Sequence, residues 1–322
     1  MASEYKIAFW NLENLFDIEN SPRRTDKLER AIGKDLKGWT KAMLDKKIAQ
    51  LASIIVQLNS GRGPDLLGVC EVENEYVMNL LVQALSSLRR TYAIVHHDSP
   101  DERGIDVAFI YDANMFRAEE TFDHCVMRRT ATRDILQVNF KTQSDRLFVL
   151  LANHWPSRSN DEQKSAGYRA IAGETLAYFH QRILEVKGTD APVLAMGDFN
   201  DEPFDESLTD YALALRSRTK VTNAQSPQFL NLMWPLMGQG IGSLYYDNLP
   251  NVFDQFLANK NLIKRNASTK VLEDSAEIVR LPEMVYKGDY PKPIRFGGMG
   301  NEVNENGFSD HFPITVAVSE AD

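Results

Sequence analysis

The sequence predicts an α/β fold, because short apolar segments of strand length alternate with longer segments of helical period. The clearest strands are the apolar runs at residues 7–10, 66–72, 147–153 and 193–196. The clearest helix follows Thr40, a residue type that caps helix N-termini. The chain has 322 residues, which is long for an average domain, but one large α/β or sandwich domain can hold it.

In the first part of the chain, the strand at 7–10 ends at Asn11 and precedes a polar excursion at 17–40 with one helical turn. The strand at 66–72 carries Glu71 near its end, and residues 77–88 have a helical pattern. Residues 61–64 end the helix that Thr40 begins. One face of that helix is predicted to carry five apolar residues, Leu44, Ile48, Leu51, Ile55 and Leu58.

The later elements follow from the same patterns. Two loops, at 221–250 and 262–308, are long, and loops of this length in compact domains are often functional. No internal repeat or linker is visible, so residues 1–322 are predicted to form a single domain. The predicted elements are strands at 92–95 and 107–111, a hairpin at 135–140 and 147–153 with a turn at 142–145, a helix at 163–187, and strands at 193–196, 253–258 and 314–318.

Composition excludes some classes of protein. No apolar run reaches the roughly 18 residues of a membrane span. No export signal is visible at the N-terminus, which favours the cytoplasm, although secretion followed by processing stays open.

The net charge of -9 argues against binding nucleic acid through bulk charge, but the cations of a metal site change the local field. Cys70 and Cys125 make no disulfide framework, and Cys70 is expected in the core.

Polar residues recur where the predicted strands end, and loops at such ends often carry function. Asn11 alone could begin a turn, and Glu71 could be a surface acid. His154 could be a structural histidine. The segment MGDFND, with Asp198 and Asn200, also suits a tight turn, but the apolar strand before it favours function.

The strongest single pair is Asp310-His311, since a base and a hard metal ligand adjoin just before a strand. Together with Asn11 and Glu71, Asp310 supplies oxygen donors that suit Mg²⁺ or Mn²⁺. Zinc would favour clustered Cys or His, which are absent from the sequence. The sequence also has no Gly-x-Ser-x-Gly elbow and no phosphate-binding loop, so serine catalysis and nucleotide-triphosphate motor chemistry are disfavoured.

Taken in order, these segments resemble the endonuclease/exonuclease/phosphatase superfamily, and the motifs are closest to bacterial nuclease-like members. The resemblance implies a four-layer α/β/β/α sandwich, with two mixed β-sheets packed face to face and helices outside. It places the active site at one end of the sandwich. The matching motifs are WNLENLF (10–16), GVCEVEN (68–74), RGIDVAFIY (103–111), LANHWPSR (151–158), GDFND (197–201), FDQF (253–256) and SDHFP (309–313).

The resemblance also implies a metal site and a set of catalytic residues. Glu71 would be the principal ligand of Mg²⁺ or Mn²⁺, with Ca²⁺ also open, and Asn11 and Asp310 would complete or support the metal shell. Asp198 would orient or deprotonate the attacking water, and Asn200 would position that water or the phosphate. His154 would contact the phosphate and could assist the leaving group, and His311, held by Asp254, would bind or protonate a phosphoryl oxygen. The role of base stays open between Asp198 and the pair of Asp254 and His311.

Some residues beside the motifs have two open interpretations. Arg103 and Arg158 could contact phosphate or form surface ion pairs, and Asp106 could support His154. Trp234 lies in a loop with Tyr245 and Tyr246 that could stack on bases or simply pack.

Three functional hypotheses follow. The first is a nuclease that cleaves DNA or RNA, by endonucleolytic or exonucleolytic attack, with nucleic acid as its partner and no membrane. The second is a phosphatase or phosphodiesterase for a small or lipid phosphate, such as an inositol phosphate or sphingomyelin, which the negative net charge fits slightly better. The third is a binding module without catalysis on the same scaffold, ranked last because every expected polar position is filled.

Overall fold

The structure, a computed structural model, describes residues 3–129, 131–158 and 162–321. Over these residues, two large mixed β-sheets pack face to face and helices cover their outer faces. The four-layer α/β/β/α sandwich expected from the resemblance is therefore confirmed. No helix in the described ranges is both long and apolar enough to cross a bilayer.

The first sheet contains the two ends of the chain and has the strand order β14-β16-β1-β2-β4-β3, with β15 also paired to β16. Its strand β1 is parallel to β2 and antiparallel to β16. The strands of this sheet are β1 (Ser3–Leu15), β2 (Leu66–Val72), β3 (Tyr92–His96), β4 (Asp106–Asp112), β14 (Thr269–Val271), β15 (Glu277–Ile278) and β16 (Ile314–Glu320).

The second sheet has the strand order β5-β6-β7-β8-β13-β10-β9. Its strand β7 is parallel to β8, and β8 is antiparallel to β13. A separate pair, β11 (Leu244–Tyr246) and β12 (Leu249–Asn251), forms a small hairpin. The strands of the second sheet are β5 (Phe116–His124), β6 (Ile135–Thr142), β7 (Leu147–His154), β8 (Val193–Asp198), β9 (Ala214–Leu215), β10 (Phe229–Asn231) and β13 (Asp254–Asn259).

The helices lie outside the sheets. Thr40 caps α2 as predicted, since its side chain accepts a hydrogen bond from Met43 N. The long helix α5 covers the second sheet, and α2 and α4 cover the first. The helices of the described residues are α1 (Asp26–Ile32), α2 (Lys41–Ile55), α3 (Leu58–Gly61), α4 (Glu75–Ala84), α5 (Glu162–Lys187), α6 (Arg218–Asn223) and α7 (Lys260–Ile263).

Alternation along the strands builds the layers, because successive side chains of a strand point to opposite faces. In β1, Ile7 and Phe9 face the core between the sheets, whereas Ala8 and Trp10 face the helices. Burial of this kind contributes roughly 25 cal/mol per Å² of apolar surface. The two central sheets are therefore held by apolar contact on both faces, and their ends are free to carry polar residues.

The structure differs from the sequence prediction in several local features. Strand β1 extends four residues beyond Asn11 to Leu15, and α1 is a helix of seven residues where one helical turn was expected. Strand β5 (Phe116–His124) was not predicted, because it is an edge strand whose middle residues are exposed and lack apolar alternation. The hairpin of β6 and β7 and the turn between them are confirmed.

Candidate active site

The strand ends named by the sequence meet at one rim of the sandwich. His154 and Asp198 are register partners at the ends of the parallel strands β7 and β8, and Asp254 faces Asp198 at the start of β13. Asn11 of β1 is paired with Cys70, the residue before Glu71 in β2. The parallel strand pairs of both sheets therefore end at this rim, where their polar side chains meet.

Glu71 reaches the rim through a break in the strand. The register between β2 and β4 shifts between Cys70 and Val72, and the intervening Glu71 has the left-handed φ of 62°. A non-glycine residue in this region is uncommon and is often held in place for function. Asn14, with φ of 58°, donates its backbone N–H to Glu71 Oε2 at 2.9 Å. The bulge thus turns the carboxylate toward the rim and the neighbouring strand fixes it.

Asn11 bridges two carboxylates. Its Nδ2 donates to Glu71 Oε1 at 3.2 Å and to Asp198 Oδ2 at 3.1 Å. Its Oδ1 accepts a hydrogen bond from Glu13 N at 2.9 Å. In this arrangement Asn11 holds Glu71 and Asp198 together through its amide N–H groups, so a direct bond from Asn11 to a metal stays a prediction.

The two histidines flank Asp198 and have opposite electrostatic surroundings. His154 Nε2 lies 3.8 Å from Asp198 Oδ2, and His311 Nε2 lies 3.9 Å from the same oxygen. Burial, with Arg133 and Arg103 nearby, lowers the pKa of His154 well below its ordinary value. Burial also opposes charge on His311, but the adjacent Asp254 outweighs it and raises the pKa of His311 well above the usual range.

Asp254 lies directly against the imidazole of His311. Its Oδ2 lies 2.7 Å from His311 Nδ1, and both side chains are buried. The backbone carbonyl of His311 accepts a hydrogen bond from Trp10 Nε1 at 2.9 Å, and His311 N donates to Ser309 Oγ. The imidazole is therefore fixed on its Nδ1 side, and Nε2 is directed toward Asp198.

Carboxylates are crowded at the rim. Burial and the neighbouring carboxylates of Asp254 and Glu71 raise the pKa of Asp198 to about 6, against the effect of His311. Burial and the carboxylates of Glu13 and Glu71 likewise raise the pKa of Asp310 to about 7. A hard divalent cation would relieve this repulsion, and carboxylate oxygens are the donors that it prefers. Glu71 and Asp310 fit such an ion, with Asp198 and Asn11 beside them.

Two clusters of possible metal-ligand side chains bear on the choice of metal. Within the described residues, ligand atoms of Asp198, Asp254 and His311 lie within 4.8 Å of one another, as do those of Cys70, His154 and Asp198. Burial raises the pKa of the Cys70 thiol well above its usual range, so Cys70 remains protonated, as befits a core residue. The donor set is therefore one of oxygen and imidazole, without a thiolate.

Asn200 and the neighbouring Arg158 form hydrogen bonds and ion pairs with residues around Asp198. Asn200 has a left-handed φ of 51°, donates its N–H to Asp198 Oδ1 at 3.0 Å and donates Nδ2 to Trp155 O at 3.0 Å. Arg158 donates to Asn200 O and pairs with Asp201 and Asp205, which supports the ion-pair interpretation of this arginine. Asn200 thus fixes the Asp198 carboxylate.

The prediction that Asp106 supports His154 is wrong. Asp106 Oδ2 lies 3.2 Å from His96 Nε2, and its Oδ1 accepts from Ser99 N. His154 Nδ1 is buried and has no hydrogen-bond partner among the described residues. Asp106 comes from a strand beside β2 but is turned toward the 96–101 loop.

Two buried residues that were not among the predicted site residues, Glu13 and Lys47, support the site. Glu13, with φ of 49°, is buried, and its carboxylate accepts hydrogen bonds from Arg295 Nε, Phe296 N and Gly297 N. The buried Lys47 donates to Glu13 O. Lys47 is three residues after Leu44 and four before Leu51, so it falls within the apolar stripe of α2, which was the available signal.

Of the aromatic residues singled out in the sequence, Trp234 lies at a separate cleft, whereas Tyr245 and Tyr246 lie in β11, directly after Leu244, which forms a β-bridge with His311. Arg216 lies over the Trp234 ring, 5.5 Å from its centroid, and both line a cleft of about 870 Å³ together with Val271. This cleft contains none of the candidate catalytic residues. The sequence prediction that Trp234 stacks on bases stays a prediction.

The sequence matches the endonuclease/exonuclease/phosphatase family over residues 6–320. The chain belongs to this family. No curated protein sequence matches the chain. Family membership makes the protein a metal-dependent phosphoester hydrolase by class, without naming its substrate.

Solved structures of the family share the fold at low sequence identity. The human nocturnin catalytic domain with bound sulfate has a TM-score of 0.58 and 16% identity, over 99% of this chain and 95% of that one. D. rerio TDP2 with a single-strand DNA product has 0.57 and 15%, over 98% and 99%. A mannosyl-6-phosphatase from Bacteroides thetaiotaomicron has 0.56 and 16%, over 98% and 99%. At identities of 15–16%, the likeness shows the fold alone.

Proposed function

We propose that this member of the family is a nuclease that cleaves phosphodiester bonds of DNA or RNA by direct attack of water, with Mg²⁺ or Mn²⁺ as its cofactor. Glu71 and Asp310 would hold the metal, which offsets charge on the phosphoryl oxygens when bound. The chain's own groups then have to orient water, accept its proton and stabilise the leaving oxygen.

The geometry supports a distinct task for each group. Asp198 is fixed by Asn11 and Asn200, with one carboxylate oxygen facing both histidines, and it would orient and deprotonate water. His311, held by Asp254, would contact a phosphoryl oxygen, and His154 on the other side would support the leaving oxygen. As the new P–O bond forms, the attacking water would give a proton to Asp198, the bond to the leaving oxygen would break, and that oxygen would take up a proton from the solvent. Such prepositioned groups stabilise a transition state without reorganisation.

The observation that carries the choice of a diester is the charge of the rim. Acidic side chains dominate it, and two of the nearby cations are already used: Lys47 on Glu13 O, and Arg133 on the carbonyls of His154 and Trp155. That leaves Arg103, which lies near His154, and the imidazole of His311, whose pKa is raised. A phosphodiester carries one negative charge, whereas a phosphomonoester carries about 1.5 to 2 at neutral pH. A site with few uncommitted cations suits the monoanionic diester better.

One panel of substrates tests this function. The purified protein is offered plasmid, single-stranded DNA, RNA, bis(p-nitrophenyl) phosphate and several phosphomonoesters, with Mg²⁺, Mn²⁺, Ca²⁺ or EDTA. Cleavage of a polynucleotide that EDTA abolishes is expected. Phosphate release from monoesters alone would instead support the phosphatase hypothesis, which the net charge of -9 favours. Binding without turnover of any substrate would support a non-catalytic module.

A further inference from the structure

We propose that Arg295 and the loop that follows it form a binding site for a second phosphate of the polynucleotide, next to the scissile one. This inference rests on the proposed nuclease function. It assigns a task to a residue outside the motifs, in the long loop at 262–308. Four observations support it: how the guanidinium is anchored, what part of it is free, where it lies, and what surrounds it.

The anchoring of Arg295 is unusual for an exposed arginine. Its Nε donates to Glu13 Oε1 at 2.9 Å, and the Glu13 side chain is only 1% exposed. The same carboxylate accepts the backbone N–H groups of Phe296 and Gly297. Phe296 is fully buried and packs against Trp39. Both the backbone and the side chain of Arg295 are therefore held by buried groups.

The outer part of the guanidinium is free. The Arg295 side chain is 51% exposed, and its Nη1 and Nη2 have no partner within residues 3–129, 131–158 and 162–321. A planar guanidinium presents a fork of N–H donors that matches phosphate oxygens in a bidentate way. Because Nε is already fixed, little side-chain freedom is lost when the fork binds an anion.

Arg295 lies beside the candidate active site. Glu13, which anchors it, also donates its N–H to Asn11 Oδ1, and Asn11 contacts Glu71 and Asp198. Two hydrogen bonds, from Arg295 to Glu13 and from Glu13 to Asn11, therefore connect the guanidinium to the amide that bridges Glu71 and Asp198. Because the ion pair of Arg295 is with Glu13 and not with Glu71 or Asp198, its guanidinium is placed for a phosphate beside the scissile one, which must itself reach Asp198.

The surroundings of Arg295 form a cleft of about 520 Å³, which is large enough for part of a nucleotide chain. Asn304 lines it and accepts from Asn306 N through Oδ1, which leaves its Nδ2 as a further donor. Glu302 also lines the cleft and sets a limit on how deeply an anion can enter. Gly297 has a φ of 85°, and an added Cβ would lie 2.2 Å from Glu302 O, so the loop is tightly closed.

The test compares Arg295→Gln with Arg265→Gln on a labelled DNA or RNA oligonucleotide and on bis(p-nitrophenyl) phosphate, which has a single phosphate. Arg265 is an exposed arginine two residues beyond α7, at the opposite end of β13 from Asp254, so its loss removes the same charge far from the rim. Arg295→Lys keeps a cation and serves as the conservative variant. Thermal unfolding checks that all three variants fold.

For Arg295→Gln we expect the KM for the oligonucleotide to rise about 10-fold with kcat within about twofold, as for loss of uniform substrate binding. Its preference for the oligonucleotide over the small diester should fall by a similar factor. The slope of log(kcat/KM) against log salt should become shallower by about 0.7 for a single strand. Arg295→Lys should restore part of the KM, and Arg265→Gln should resemble the wild type.

The outcomes separate the two proposals. If the wild type cleaves the oligonucleotide and Arg295→Gln matches Arg265→Gln in KM and salt slope, only the second-phosphate site is overturned. If the wild type hydrolyses monoesters and no polynucleotide, the nuclease function and the site that rests on it are both overturned. A fall in kcat alone for Arg295→Gln would likewise contradict a binding role.

Discussion

The contact between Asp254 and His311 allows a graded prediction. The carboxylate is buried, its Oδ2 lies 2.7 Å from His311 Nδ1, and its Oδ1 has no partner among the described residues. Asp254→Asn keeps an oxygen that can accept from Nδ1 but removes the charge. Asp254→Ala removes the acceptor altogether and leaves the imidazole free to rotate.

The magnitudes follow from the two kinds of hydrogen bond. A bond to a charged group contributes about 1.5–3 kcal/mol and a neutral one about 0.5–1.5 kcal/mol. The exchange to Asn therefore removes about 1–1.5 kcal/mol, or roughly 10-fold in kcat/KM, if the transition state depends on the oriented imidazole. The exchange to Ala removes the full bond, about 2–3 kcal/mol, or roughly 30- to 150-fold.

The assay is hydrolysis of bis(p-nitrophenyl) phosphate or of the polynucleotide found in the substrate panel, at saturating metal. Folding of both variants is checked by urea unfolding. The order wild type, Asn, Ala in falling kcat/KM is expected. If folded Asp254→Ala retains kcat/KM within about threefold of the wild type, the orientation of His311 by Asp254 is irrelevant to the reaction.

Three other predictions concern the rim and the core. Glu71→Gln should lower kcat by about 10²–10³ while urea unfolding stays near the wild type, and wild-type turnover would remove Glu71 from the site. Gly197→Ala should destabilise the fold by roughly 2–4 kcal/mol, because its Cβ would lie 2.3 Å from Asn153 O; an unchanged urea midpoint would contradict this close packing. Burial lowers the pKa of His180 to about 3, so its unfolded form binds a proton first as the pH falls below about 6.5. Between pH 8 and 5 this group should remove about 2 kcal/mol of stability. His180→Gln should show a smaller loss in urea unfolding, and an equal loss in both proteins would exclude His180 as its source.

Many of the strands and helices could be predicted, because buried elements have apolar residues at a regular spacing in the sequence. The apolar stripe of α2 and the apolar runs of β2, β7 and β8 each have one or two buried faces. Edge strand β5 has no such pattern, because most of its residues between Arg117 and Thr121 are exposed to solvent and need not be apolar. Local pattern therefore identifies buried elements and misses exposed ones.

The residues of the site could be named from strand ends, but their contacts could not. The amide of Asn11 reaches Glu71 on the neighbouring strand β2, but it reaches Asp198 only because β1 and β8 belong to sheets packed face to face. The left-handed conformations of Glu13 and Glu71 depend on the bulges at the ends of β1 and β2, and neither residue type signals a positive φ. Register and bulges are consequences of tertiary structure, so the sequence alone did not show them.

The opposite surroundings of the two histidines show how the fold, not the residue type, assigns chemistry. Both imidazoles are buried, and each places Nε2 just under 4 Å from Asp198 Oδ2. Burial alone would keep both neutral. Strand β13 adds Asp254 behind one of them, whereas the other has Arg133 at its own backbone carbonyl and an Nδ1 without a partner in the part of the chain that the structure describes. The Asp198 carboxylate therefore faces one imidazole whose pKa is raised by Asp254 against the effect of burial and one whose pKa burial lowers, so the two rings are suited to different tasks in the proposed hydrolysis.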